Sequence, residues 1–458
     1  MKTIFITAFT NFVVRNILET DFFKLVTGEK DIRLVIVAPE QERAYLEKNF
    51  GGKNVLVEGV AMPPLTKRQV LIGKLSRLFL NTYTIRLFNK LRTNFRNPFT
   101  VIGLYAGRAI SPLLQGWGPG IRLVRWLDYH LITRRRFDAL FEKHRPDLVF
   151  STDITDRSSG ESDIDLIREA KRRGVRVVGM VRSWDNLTTR GVIREVPDRL
   201  LVHNEIIKRE CLTLNRLPAE QVTIIGIPHY DKYVRAKLQP REVFLKKVGL
   251  DPKKKTILFV TIADMFLQKQ FGGKKPTYNR HMLEQLSRLD AKQIQILARF
   301  PLIGEVDLGD WQPPANIIFD KPATLFGKGE LSADADTHLI NILAHSDVVL
   351  PGPSTIAIDA MLFGKPIVWV GFDKDKNVPI EESVSKFMYV EHLHPLMDLK
   401  ALRVAHDEEE LLILIKNYLE NPKLDEEQRK QVIALTCFKT DGQSAERLAR
   451  AVLLCLKT

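Results

Sequence analysis

Short apolar runs, each bounded by turn residues and separated by helix-length stretches, recur along the whole of this chain. In order they read KTIFITAF, RLVIVAP, NVLVEGV, PDLVFSTDI, VRVVGMVRSW, RLLVHN and QVTIIGIP in the first half, then TILFVTIA, QIQILARFP, NIIFD, DVVLPG and PIVWVGF in the second. Apolar runs without polar alternation are the mark of strands buried on both faces, which requires a parallel sheet covered by helices. The expected fold is therefore α/β, built from two doubly wound, Rossmann-like domains. The basic, proline-bearing stretch from His229 to Lys255 reads as the connection between them. It implies an N-terminal domain over 1–235, a C-terminal domain over 236–440, and an amphipathic helix over 441–458 that packs back over the junction. Ligands of open α/β sheets bind beyond the carboxyl ends of the strands, so two such domains facing one another would hold the chemistry in a cleft.

Composition narrows the class. With 458 residues and 45% apolar content there is enough material for two cores. The three cysteines, Cys211, Cys437 and Cys455, lie far apart and show no ligand spacing, which favours a reducing cytosol and argues against a disulfide framework or a zinc site. Asn11 and Arg15 interrupt the first apolar run, which reads as a strand and not as a signal peptide. No run approaches the roughly 20 apolar residues of a membrane-spanning helix.

The net charge of +14 is concentrated in one place. Between Ala61 and Arg136 stand fourteen Lys and Arg residues against one acid, Asp128, a local balance of +13. Interleaved with them are Phe79, Leu80, Leu87, Phe88, Phe95, Phe99, Trp117 and Trp126. This basic and aromatic insertion, residues 61–136, suits an anionic lipid surface, with Arg134, Arg135 and Arg136 as contacts at its end. A set of solvated helices is the plainer alternative. Nucleic acid is not expected, because no recognised nucleic-acid module accompanies the charge.

The segment from His338 to Asp373 reads as helix, buried strand, a tight turn of Pro351, Gly352 and Pro353, a helix opening at Ser354, and another buried strand. Gly352 leaves room for an anion. Ser354 and Thr355 would offer hydroxyls and backbone N–H groups at the positive end of the helix dipole. Asp359, about one and a half turns on, would accept hydrogen bonds from a ribose diol. An ordinary crossover with Ser354 as a helix cap is the competing reading.

Several of these stretches together resemble bacterial surface-carbohydrate glycosyltransferases of the GT-B fold: the unit just described, SWDNLTTRG at Ser183–Gly191, VPDRLLVHNEIIKRE at Val196–Glu210, VTIIGIPHYD at Val222–Asp231 and DGQSAERLAR at Asp441–Arg450. Within that fold the likeness is to the CDP-glycerol glycerophosphotransferase-like and nucleotide-sugar 2-epimerase-like groups. It spans most of residues 145–450 and leaves the basic insertion outside. The resemblance implies a metal-independent enzyme with no cofactor, using a UDP- or CDP-linked donor as substrate and a lipid-linked or glycan acceptor. The cysteine usage and the basic insertion together lead to an expected cytoplasmic location, peripheral on the inner face of the cell membrane.

Carried over by position, Pro353, Ser354 and Thr355 match the donor-phosphate loop and Asp359 the acid after it. Arg299 matches the arginine of an R-x-H-P segment whose histidine is missing here, since Phe300 and Pro301 follow directly. Asp185 stands where that group has a proposed catalytic histidine, and a carboxylate there can take a proton from an acceptor hydroxyl. It can equally start the next helix through an Asx turn. Asp153 and Asp156 are competing bases, with Arg157 beside them. His338 is a candidate contact to donor phosphate, or a packed histidine. Asp373 and Asp375 mimic a DxD metal motif but read better as a solvated turn among lysines.

The expected function is transfer of a sugar from a nucleotide donor to a membrane-linked or surface-polysaccharide acceptor. Polyol-phosphate transfer and nucleotide-sugar 2-epimerisation are the alternatives.

Overall fold

A computed structural model describes residues 1–458 apart from 11, 133, 156–159, 269–277, 323, 326–329, 332, 375–377, 379, 381, 382 and 458. Asp156, Arg157 and Asp375 lie outside the described residues. The chain forms two units, Met1–Lys232 with Thr436–Thr458, and Tyr233–Leu435.

The first unit is built on β1 (Lys2–Thr7), β2 (Ile32–Pro39), β3 (Val55–Val60), β4 (Leu148–Ser151), β5 (Arg176–Met180), β6 (Arg199–Val202) and β7 (Val222–Ile224). All pair in parallel, in the order β3-β2-β1-β4-β5-β6-β7. Alternate residues of each strand serve opposite faces. Ile4, Ile6, Ile36 and Phe150 join one core, and Phe5, Val35, Val37 and Val149 the other. The closing helix, Ser444–Lys457, packs Leu448, Val452 and Leu456 into the first of these cores. It is thus a layer of the first unit. Each large apolar side chain buried there contributes about 1.5–3 kcal/mol, which is reason enough for the chain to return to its starting domain.

The strand order reverses between β1 and β4, and the basic insertion occupies the long crossover from edge strand β3 back to β4. It folds as four helices, Lys67–Leu78, Tyr83–Arg92, Pro98–Leu114 and Gly118–Leu131. Thr66 opens the first with a capping box shared with Gln69, and Thr82 and Asn97 cap the second and third. Ile72, Phe79, Leu80, Ile85, Ile121 and Val124 form a small core of its own. Phe79, Leu80 and Leu87, read from sequence as lipid-facing, are buried.

A buried ion lattice fastens the insertion to the helix Ser162–Arg172. Arg168 donates to Asp128 at 2.5 Å, Asp165 at 2.7 Å and Glu195 at 3.2 Å, and Arg194 donates to Asp128 at 2.8 Å. Burial alone would lower the Arg168 pKa, but Asp128, Glu195 and Asp165 outweigh it and hold it above the ordinary value. Arg136 pairs with Asp165 at 3.2 Å and donates to the Ala61 carbonyl. Arg134 donates to the Pro64 carbonyl. These two arginines therefore face inward and are not free lipid contacts.

The second unit contains β8 (Lys255–Val260), β9 (Ile294–Arg299), β10 (Ile317–Asp320), a short antiparallel pair β11 (Thr324–Leu325) and β12 (Glu330–Leu331), then β13 (Val348–Leu350), β14 (Val368–Val370) and β15 (Arg403–Ala405). Its main sheet runs β10-β9-β8-β13, all parallel. A parallel bridge from Val349 to Ile367 carries it on to the β14–β15 pair. No described helix is long and apolar enough to cross a membrane.

Candidate functional site

The carboxyl edge of the first sheet carries the candidate bases Asp153 and Asp185. Asp153 follows β4 and is fully buried, with every hydrogen bond it makes directed at the scaffold. One carboxylate oxygen accepts from Thr155 N and Oγ1 at 3.2 and 2.8 Å and from Asn186 Nδ2 at 3.2 Å, and the other from Arg182 Nε at 2.7 Å. Such a carboxylate holds loops together and has little access to a substrate.

Asp185 differs in each respect. It lies beyond β5, half-buried, at the start of the helix Asn186–Thr189, and makes no capping bond with its side chain. Its neighbours are hydroxyls, Ser183 Oγ at 2.6 Å and Thr189 Oγ1 at 3.4 Å. The Asx-turn alternative is thereby set aside.

Asp185 opens into a cavity of about 480 Å³. Two insertion helices form the rest of the wall. Arg77 comes from Lys67–Leu78, and Ile85, Phe88, Asn89 and Arg92 from Tyr83–Arg92. The last four stand at i, i+3, i+4 and i+7, a single helical face. Thr189 and Arg190 complete the lining beside Asp185. Further along the edge, burial holds the His203 pKa down to about 4, with Arg182 adding to the effect. Burial likewise holds His229 well below the usual imidazole value, with Arg15 and His203 contributing. Both histidines are neutral at pH 7.

In the second unit the candidates line the carboxyl ends of β9, β10 and β13. Arg299 ends β9 and Asp320 ends β10, and the two are partners in the strand register. Neighbouring residues of parallel strands share a face, and Arg299 accordingly forms an ion pair with Asp320. His338 Nε2 meets the other Asp320 oxygen at 2.8 Å. Burial would raise the Asp320 pKa, but His338 and Arg299 together hold it below the ordinary value. Arg299, expected to be open for phosphate, is only 3% exposed and engaged by Asp320.

The turn after β13 also departs in detail from its sequence reading. Gly352 has φ of +59°, and a Cβ there would come within 3.2 Å of the Val260 carbonyl, so glycine is required by backbone conformation and packing. The helix begins at Ile356, not at Ser354, with Thr355 as its first flanking residue, and it is seven residues long. Ser354 N donates to the Gly352 carbonyl and Ser354 Oγ accepts from Ile356 N at 3.3 Å. Part of the expected donor set is thus used within the turn. Asp359 lies in the first helical turn and is buried. Among the described residues no group of three or more His, Cys, Asp or Glu has metal-binding geometry.

Asp320 and the three cavity arginines escaped the sequence reading. Asp320 carried a faint signal as the terminal acid of NIIFD. Arg92 carried a better one in its helical spacing with Ile85, Phe88 and Asn89, whereas Arg77 and Arg190 carried none.

Solved structures share this architecture along nearly the whole chain. The UDP-GlcNAc 2-epimerase from Neisseria meningitidis bound to UDP-GlcNAc superposes with a TM-score of 0.54 at 11% identity, covering 99% of this chain and 100% of that one. MnaA of S. aureus in a co-structure with UDP gives 0.53 at 14%, covering 100% and 97%. The wall teichoic acid polymerase TagF gives 0.51 at 11%, covering 100% and 89%. At these identities the likeness is one of fold, and the fold is GT-B. No curated protein sequence matches the chain. Residues 188–454, more than half of the chain, match the CDP-Glycerol:Poly(glycerophosphate) glycerophosphotransferase family, and the chain belongs to that family of transferases.

Proposed function

We propose that this protein transfers a sugar from a nucleotide-activated donor, UDP- or CDP-linked, to a lipid-linked or cell-surface glycan acceptor, with Asp185 as the general base. The observation that carries the reading is the contrast between Asp153, whose carboxylate is wholly engaged, and Asp185, half-buried on the wall of a ligand-sized cavity. In the reaction the acceptor oxygen forms the bond to the transferred group, its proton passes to Asp185, and the bond to the nucleotide diphosphate breaks. The acceptor is assigned to the first unit.

The donor is assigned to the second unit, at the turn Gly352–Thr355 with Asp359 nearby. Arg299 and His338, joined through Asp320, supply positive charge at the same edge to offset the leaving diphosphate. Support for a nucleotide donor comes from the UDP and UDP-GlcNAc named in the similar structures. Family membership favours a second reading, polyol-phosphate transfer from a CDP-linked donor, while the Phe300–Pro301 sequence after Arg299 favours a sugar.

The insertion supports attachment to the inner face of the membrane. Its helix Pro98–Leu114 exposes Phe99 at 82% and Leu113 at 81%, flanked by exposed Arg92, Arg96 and Arg122.

The test begins with thermal-shift screening of UDP- and CDP-linked donors, followed by Asp185→Asn. Turnover should fall roughly 100-fold or more, the scale of a lost general base, with donor affinity unchanged. Near-normal turnover in this variant would remove Asp185 from the mechanism. Mass analysis of products separates the alternatives: a 2-epimer without any acceptor points to epimerisation, and a phosphodiester product points to polyol-phosphate transfer.

A further inference from the structure

The cavity beside Asp185 holds more positive charge than its surroundings neutralise. Arg77 lies in the last turn of its helix, Arg92 ends the next, and Arg190 follows the helix that Asp185 begins. Among the described residues none of these three guanidinium groups has a carboxylate partner in an ion pair, whereas Arg134, Arg136, Arg168 and Arg194 all do. Burial, and then the like charges of Arg92 and Arg194, hold the Arg77 pKa below its ordinary value. Three arginines and one aspartate leave the lining at +2, counting 3 − 1 from its charged residues. Clustered cations in a partly desolvated pocket repel one another, and a dianion relieves that repulsion. Guanidinium groups also match phosphate oxygens in pairs. Ile85 and Phe88 line the same space and offer apolar surface to whatever carries the phosphate.

We propose that this cavity binds a phosphate ester, with Arg77, Arg92 and Arg190 on the phosphate and Asp185 on a hydroxyl of the same molecule. This deepens the acceptor reading above and rests on it only for the role of Asp185. Arg77 and Arg92 come from the insertion and precede the segment shared with the family, whereas Arg190 lies within that segment, so the insertion supplies two of the three cations. The phosphate can reside on a soluble sugar or on a lipid head group. Both present the same dianion.

Calorimetry on the full chain, with a hexose 6-phosphate and the unphosphorylated hexose as probes, provides the soluble arm. Neutral vesicles with and without lysophosphatidic acid, which keeps a free hydroxyl beside its phosphate, provide the lipid arm. The wild type should bind the phosphorylated probe in at least one arm and ignore its uncharged counterpart. Arg77→Gln with Arg92→Gln should weaken that binding by about tenfold or more, while Arg77→Lys with Arg92→Lys, which keeps charge but loses the paired contact, should fall between. Asp185→Asn should tighten it by removing a like charge. Thermal unfolding and UDP binding serve as controls and should be unchanged. Phosphate binding that is absent in both arms, or equal in wild type and the glutamine double variant, overturns the proposal even if UDP still binds. Absence of nucleotide binding in the wild type instead counts against the transfer reading and leaves this site standing.

Discussion

Arg168 and Arg77 lie in neighbouring parts of one unit, yet they do opposite things with the same charge. Arg168 is completely buried and meets Asp128, Asp165 and Glu195. Arg77 is half-buried, meets no carboxylate among the described residues, and faces a cavity with Arg92 and Arg190. The lone acid of the insertion, Asp128, explains the division. It is bound by Arg168 and Arg194 from outside the insertion, and so fastens the insertion to the unit while neutralising none of the insertion's own cations. A composition strongly biased toward Lys and Arg can therefore contain two populations, one that holds the fold and one left over for ligands.

The largest test of that division is at Arg168. Arg168→Met keeps most of the side-chain volume but leaves Asp128, Asp165 and Glu195 buried with less compensation. Removing one partner from a buried ion cluster typically costs about 3–5 kcal/mol. Arg92→Gln, at an exposed position, should change stability by no more than about 0.5 kcal/mol. Denaturant unfolding of both variants checks this, and equal losses would erase the distinction between holding and binding arginines.

A smaller effect is expected on the outer surface of the insertion. There Phe99, Ile102 and Leu113 of the helix Pro98–Leu114 are exposed alongside Arg96. Vesicle flotation should show binding to anionic and not neutral lipid, at about 1 kcal/mol for each Lys or Arg engaged. It should weaken as the Debye length shrinks from about 10 Å at 0.1 M salt to about 3 Å at 1 M. Phe99→Ser with Leu113→Ser should remove the portion that survives high salt. Arg134→Ser should not affect flotation, because that side chain faces Asp165 and the Pro64 carbonyl. Flotation lost with Arg134 but kept without Phe99 and Leu113 would exchange the two populations.

The strands of both units were legible because buried parallel strands write continuous apolar runs into the sequence, and β1 to β10, β13 and β14 each fall, to within a residue, inside one. The strand β15, Arg403–Ala405, opens on an exposed arginine and a half-buried valine and so leaves no such run. What periodicity cannot convey is pairing across the chain. Asp153 and Asp185 look equivalent in sequence, each just beyond a strand, until Arg182 and Asn186 are found to occupy one of them. The reading of Arg299 as open failed for a similar reason. Whether a strand-end arginine is free depends on which residue stands opposite in the neighbouring strand, and here it is an aspartate. In the loop after β13, the position of glycine was readable but its cause was not, since the demand comes from the Val260 carbonyl far away in sequence.

Arg299 is the intermediate case, paired like Arg168 yet located at a carboxyl edge like the cavity arginines. Its partner offers the smallest of the tests. His338 and Arg299 hold the Asp320 pKa below its ordinary value against the opposing effect of burial. A carboxylate with a depressed folded-state pKa stabilises the native protein above its unfolded-state pKa, roughly 4, and loses that contribution as pH falls through the folded-state value. Asp320→Asn keeps the shape, removes the charge, and should cost about 1 kcal/mol near pH 7. The gap between wild type and variant should then narrow below about pH 4, because the wild-type carboxylate is being protonated while the amide cannot be. If Arg299 acts only to hold the fold, nucleotide binding should be no better in Asp320→Asn than in the wild type. If it belongs with the binding arginines, freeing it from Asp320 should tighten nucleotide diphosphate binding even as stability falls, and calorimetry on the same variant decides between the two.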